Sequence, residues 1–127
     1  MSLGRVLIVD DEPDLRKAVR LTLTKAGYDV VEAEDGEKGI AAVRSGDNPL
    51  LLGTIICDLQ MPKVGGAEAI AFFREQFPSV PIIVMSGAGT LDIASELYRQ
   101  GVVEYLAKPV KADMLVRAVE RAMRLKD

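Results

Sequence analysis

The chain has 127 residues, 49% of them hydrophobic, which is the size and apolar content of one compact domain with a real core. A net charge of −3 argues against a free-standing nucleic-acid binder, and the absence of histidine excludes Ser-His and Cys-His nucleophiles, His-ligated zinc and an internal phosphohistidine. No apolar stretch approaches the roughly 20 residues of a membrane span, no signal peptide opens the chain, and no membrane contact is expected.

The single cysteine, Cys57, lies in an apolar run and cannot form an internal disulfide. It reads as a small buried hydrophobe in a reducing compartment, so a cytoplasmic location is expected. One domain over 1–127 is expected, with Met1, Ser2 and Leu3 set aside as patternless and in part an expression remnant.

Strand-length apolar runs alternate with helix-period segments. Arg5 to Val9 is the first strand, ending in Asp10 and Asp11. Pro13 suits a first helical turn, and Leu15, Ala18, Val19, Thr22, Leu23 and Ala26 follow at three-four spacing, closed by Gly27. Val30 and Val31 form a short second strand. Asp35 caps a second helix marked by Ile40 and Val43 and ending near Gly46.

Asn48 and Pro49 signal a turn, after which Leu50 to Cys57 predicts a strand buried on both faces, running into Asp58. Gly53 marks either a bulge or the strand's true start. Gly65 to Phe77 predicts a third helix with Ala69, Phe72, Phe73 and Gln76 near one face, stopped by Pro78 and Pro81. The strand Ile82 to Met85 ends in Ser86. A fourth helix, Thr90 to Gln100, carries Ala94, Leu97 and Tyr98. Glu104 to Ala107 is the fifth strand, ending in Lys108, and Lys111 to Lys126 is a fifth helix with Leu115, Ala118, Val119 and Ala122 inward. The cations Arg117, Arg121, Arg124 and Lys126 near its end suit a solvated face at the negative helix terminus.

Five strand-helix units with short connections predict a doubly wound α/β domain, a parallel five-stranded sheet in the order 2-1-3-4-5. Ligands then bind outside the carboxyl ends of the strands, at the switch point between the first and third. Asp10, Asp11, Asp58, Ser86 and Lys108 would all lie along that edge. Two like charges about 4 Å apart cost on the order of 4 kcal/mol at an effective dielectric near 20, so three carboxylates in one crevice bind a cation or take up protons. Mg2+ fits best, being held by one or two carboxylates plus a phosphate. One carboxylate can then attack a phosphoryl donor and form an aspartyl phosphate, with Lys108 and the Ser86 hydroxyl neutralising phosphoryl oxygens.

The residues Val9 to Pro13, the Gly27-Tyr28 pair with the strand after it, Asp58 to Pro62 (DLQMP), Ser86 to Ala88, and Tyr105 to Pro109 together resemble the receiver domains of two-component response regulators over essentially the whole chain. The resemblance implies a (βα)5 flavodoxin-like sandwich and a phosphoacceptor switch rather than a turnover enzyme. It implies that a histidine kinase or histidine phosphotransfer protein phosphorylates Asp58. It implies that Asp11, Asp58 and the Gln60 carbonyl ligate Mg2+, with Asp10 assisting through water and completing an acidic metal pair.

It further implies that Ser86 and Tyr105 switch together, the hydroxyl moving toward the phosphoryl group and the ring turning inward. Gln60 and Ala88 would tune phosphoryl lifetime; neither supplies a base, so no fast self-hydrolysis is expected. The face of the fourth helix, fifth strand and fifth helix, with Tyr98, Val102 and Val103, is the expected surface for partner or homodimer contacts. Two departures from the family pattern stand out: Gly65 replaces the polar residue often found before Gly66, and Leu50 to Thr54 is longer and more apolar than usual.

Other readings need other residues. A phosphatase of the haloacid dehalogenase type needs D-x-D after the first strand, where this chain has Asp10-Asp11-Glu12. A flavin site would want a hydroxyl-rich phosphate loop there. Gly87 and Gly89 lack the lysine or the dinucleotide fingerprint of a phosphate-cradling loop. A pseudo-receiver that binds partners without phosphorylation is the remaining alternative.

Overall fold

A computed structural model describes residues 2–61, 65–87 and 91–126. Five parallel strands, β1 (Arg5–Val9), β2 (Asp29–Ala33), β3 (Leu52–Asp58), β4 (Ile82–Ser86) and β5 (Glu104–Ala107), form one sheet in the order β2-β1-β3-β4-β5. Around it lie α1 (Pro13–Lys25), α2 (Gly36–Arg44), α3 (Asn48–Leu51), α4 (Gly66–Gln76), α5 (Leu91–Arg99) and α6 (Ala112–Leu125).

Alternation along each strand divides the core in two. Leu7, Val9, Ile55, Cys57, Ile82 and Val84 face α2, α4 and α5, where they meet Val43, Ile70, Phe73 and Leu97. Val6, Ile8, Ile56, Ile83 and Met85 face α1 and α6, meeting Val19, Leu23, Leu115 and Val119. Both layers are needed because the central strands are sealed: every residue of β3 and β4 is buried. Such strands have no polar face to give to water, hence their nearly continuous apolar sequence.

The local signals act as their chemistry demands. Pro13 opens α1, and the chain leaves that helix through Gly27 at φ +104°. The Asp35 carboxylate accepts the Lys38 N–H at 2.8 Å and caps α2, a contact worth about 1 kcal/mol. The β1–β3 register slips between Arg5 and Val6, which pair with Leu52 and Thr54 and leave Gly53 as the extra residue of a bulge.

The structure corrects the expected start of β3. Asn48 to Leu51 is a helical turn, with Pro49 in its first turn, and Leu50 and Leu51 are 79% and 48% exposed. Proline is at home in a first helical turn, and an apolar run this short does not by itself distinguish strand from helix. Ala18 and Gln76, expected inward, face solvent, while Ile70 takes the core position of α4. Val102, expected on the partner surface, is buried in the core beside Leu97. With α3 inserted, the expected partner face is that of α5, β5 and α6. The expected helix start at Thr90 lies outside the described residues, as do Pro62, Lys63, Val64, Ala88 and Gly89.

Candidate functional site

The carboxyl edges of β1 and β3 carry the acidic residues. Asp10 follows β1 and Asp58 ends β3; both are buried, and Asp11 is half-buried beside them. One carboxylate oxygen from each of Asp10, Asp11 and Asp58 lies within 4.8 Å of the others. Lys108, just past β5, reaches back over the sheet to Asp58 Oδ2 at 3.1 Å, Asp10 Oδ2 at 3.4 Å and Glu12 Oε1 at 3.6 Å. Three clustered carboxylates thus face one ammonium, a deficit of positive charge that a divalent cation would fill.

Backbone contacts fix these groups. The Glu12 N–H donates to Asp10 Oδ1 at 2.9 Å, and the Gln60 N–H donates to Asp58 Oδ1 at 3.1 Å. The Asp10 N–H donates to the Ala33 carbonyl at 3.1 Å, tying the acidic turn to β2. Gly66, the first residue of α4, lies so close to the Asp58 and Leu59 backbone that an added Cβ would meet the Leu59 carbonyl oxygen at 2.6 Å. A larger residue there would push α4 off the end of β3. Gly65 is the N-cap residue of α4, which has no side-chain cap.

Burial pushes the Asp10 carboxyl above its ordinary value, and the Asp58 charge adds to that; the Glu12 N–H and Lys108 oppose it without cancelling it. Burial would lower Lys108, but Asp10, Asp58 and Glu12 outweigh it and hold the ammonium charged. Burial, reinforced by Asp58 and Asp10, pushes the Cys57 thiol well up, so this sulfur stays an unreactive core group.

Ser86 ends β4 and is buried, and its carbonyl accepts the Lys108 N–H at 3.0 Å. Tyr105 in β5 is half-buried, its ring against the core layer on the α2, α4 and α5 side. Its N–H donates to the Tyr98 hydroxyl at 3.0 Å, and its own hydroxyl is buried with no partner among the described residues. Asp10, Asp11, Asp58 and Lys108 are therefore brought together, Ser86 and Lys108 share a backbone contact, Tyr105 stands on the edge strand, and Gln60 is exposed beside Asp58. Sequence reasoning passed over Glu12 as a contact of Lys108, and Arg16, whose guanidinium donates to the Asp10 carbonyl at 2.7 Å. The place of Arg16 one turn into the helix after the acidic turn was the available signal.

A parallel sheet with an acidic crevice able to hold a cation and a lysine at its carboxyl edge is the arrangement of doubly wound domains that handle phosphoryl groups there. The profile of the response regulator receiver domain matches residues 6–120, and the chain belongs to that family. It is 35% identical over 120 residues to the transcriptional regulatory protein GlrR of Escherichia coli, covering 94% of this chain and 26% of that protein. It is 33% identical over 122 residues to the C4-dicarboxylate transport transcriptional regulatory protein DctD of Pseudomonas aeruginosa, covering 96% of this chain and 26% of the relative. The chain thus spans about a quarter of the length of these relatives. A crystal structure of a response regulator receiver domain protein from Clostridium thermocellum superposes with a TM-score of 0.89 at 29% identity, covering 96% of this chain and 95% of the other.

Proposed function

We propose that this domain is a phosphoacceptor switch in which Asp58 receives a phosphoryl group from a phosphohistidine on a histidine kinase or phosphotransfer protein. The observation that carries the reading is Asp58 itself: a buried carboxylate 3.1 Å from the Lys108 ammonium, its oxygens clustered with those of Asp10 and Asp11. An Asp58 oxygen attacks phosphorus in line, the P–N bond to the donor imidazole breaks, and the imidazole leaves with that electron pair. Lys108 neutralises charge on the transferred group, and the Ser86 hydroxyl donates to one of its oxygens.

Asp10, Asp11, Asp58 and the Gln60 carbonyl would hold Mg2+. The donors are hard oxygens, which suit it, and when bound it supplies further charge neutralisation of the phosphoryl oxygens. Phosphorylation then biases Ser86 and Tyr105, and through them the surface of α5, β5 and α6, toward a second arrangement read in the cytoplasm by a partner, by a second copy, or by the output part of a longer protein, as in transcriptional regulatory proteins such as GlrR or DctD. The domain acts as a switch set by another protein rather than as a turnover enzyme.

Incubation with acetyl phosphate and Mg2+, followed by intact-mass measurement, tests the assignment. Wild type gains one phosphoryl group and Asp58→Asn gains none; equal labelling of the two would place the acceptor elsewhere. Neither the exposed Gln60 nor Ala88, which lies outside the described residues, carries a general base, so the aspartyl phosphate outlives a time course of minutes. A lifetime of seconds would contradict this.

A further inference from the structure

The acidic turn between β1 and α1 is held from behind by a residue with no part in the phosphoryl chemistry. Arg16 has a side chain only 17% exposed, yet its guanidinium meets none of the three clustered carboxylates within ion-pair distance among the described residues. Its Nη1 donates to the Asp10 carbonyl at 2.7 Å and its Nε donates to Glu32 Oε1 on β2 at 3.2 Å. One planar fork thus ties the peptide joining Asp10 to Asp11 to a carboxylate on the neighbouring strand.

The other polar groups of Asp10 are also engaged: its N–H with the Ala33 carbonyl, Oδ1 with the Glu12 N–H, and Oδ2 with Lys108. The Asp10 carbonyl is the remaining handle on this peptide, and Arg16 occupies it. A rotation of that peptide would swing the Asp11 Cα and carry its carboxylate away from Asp58. Glu32 pairs with both Arg16 and Arg20, and what sets Arg16 apart is direction: its second donor is aimed at the Asp10 carbonyl. Arg20 makes the informative comparison: its Nε also approaches Glu32, at 3.0 Å from Oε2, but no contact joins it to the Asp10 carbonyl.

We propose that Arg16 is a positioning residue for the metal site: by fixing the Asp10–Asp11 peptide against Glu32 it sets the spacing of the acidic pair and thereby the affinity for Mg2+. The inference rests on the phosphoacceptor reading above. Groups that orient metal ligands from behind typically change metal affinity by about 10- to 100-fold when removed. Lysine cannot replace this arginine fully, because a single ammonium on a flexible stem does not reproduce two donors held at a fixed angle.

Calorimetric titration of the full chain with Mg2+ tests it, with acetyl phosphate labelling as a second readout. Arg16→Ala is expected to weaken Mg2+ about 10-fold, Arg16→Lys by an intermediate factor, and Arg20→Ala by less than about twofold. At saturating Mg2+ the labelling rate of Arg16→Ala returns toward wild type, a separation that general loosening of the fold would not give. An Arg16→Ala affinity equal to wild type, or an equal loss in Arg20→Ala, overturns the proposal; if Arg16→Ala does not fold, wild-type affinity in Arg16→Lys overturns it. Absence of Mg2+ binding in the wild-type chain would instead overturn the underlying reading of the site.

Discussion

Lys108 ties the edge strand β5 to two strands that are not its neighbours. It follows β5 at the sheet edge, yet its ammonium lies 3.1 Å from Asp58 at the end of β3 and 3.4 Å from Asp10 after β1. The Asp58 carboxylate and the acidic turn therefore share one counter-charge, and on the proposed reading anything that draws Lys108 toward a phosphoryl oxygen on Asp58 also takes it from Asp10.

Lys108→Met keeps the apolar stem and deletes the ammonium, leaving clustered carboxylates with less compensation. In EDTA it is expected to lower stability by about 1–3 kcal/mol, the cost of removing a charged hydrogen-bond partner from a largely buried site. With Mg2+ present the loss should shrink, because without the competing ammonium the variant's carboxylates bind the cation more tightly than wild type's and gain more folded-state stabilisation from it. Urea denaturation in the two buffers decides; equal losses in both would mean that Lys108 and the cation do not share a site.

Asp10 gives a pH signature in metal-free buffer. Its folded value lies above the ordinary 3.8, chiefly through burial. Below about pH 3.8 both folded and unfolded chains hold the proton and no penalty exists; as pH rises through the folded value, ionising the buried group costs stability. Asp10→Asn is therefore expected to be more stable than wild type at pH 7 and to lose that advantage near pH 4, while binding Mg2+ more weakly. Urea midpoints across that range check it, and a pH-independent difference would remove ionisation as the cause.

The strand ends were legible because a buried parallel strand must be apolar throughout and can turn polar only where it leaves the sheet. Asp10, Asp58, Ser86 and Lys108 each mark such an exit. Leu50 departs from expectation for the complementary reason: periodicity over the short run Leu50 to Leu52 does not separate a strand from a helical turn, and Pro49 settles the matter locally. Val102, expected on the partner face with Tyr98 and Val103, instead donates its N–H to the Leu97 carbonyl, and the turn carries it into the core. Arg16 is marked in the sequence only by its place one turn into α1, because the contact that ties it to the acidic turn is to a backbone carbonyl, which no side-chain pattern advertises.

The corrected position of Leu50 has an energetic consequence. At 79% exposure, Leu50→Lys is expected to change stability by less than about 0.5 kcal/mol, as surface substitutions do. Ile55, fully buried two residues into the regular part of β3, is expected to cost about 2–5 kcal/mol as Ile55→Ala. Thermal or urea unfolding of the two variants compares them directly. A loss above about 2 kcal/mol for Leu50→Lys would restore the buried-strand reading.

Tyr105 buries a hydroxyl that finds no partner among the described residues, while its ring is already half-packed against the core. An orphaned buried polar group costs about 1–3 kcal/mol, and phenylalanine keeps the ring and removes the orphan. Tyr105→Phe is therefore expected to be as stable as the unphosphorylated wild type or up to about 1 kcal/mol more stable. If the ring turns when Asp58 is loaded and the hydroxyl thereby gains a partner or water, that advantage should fall or reverse with beryllium fluoride and Mg2+ bound. Urea unfolding of both proteins, free and loaded, gives the four stabilities needed. An advantage that is the same in both states would show that the Tyr105 hydroxyl keeps one environment throughout and takes no part in the switch.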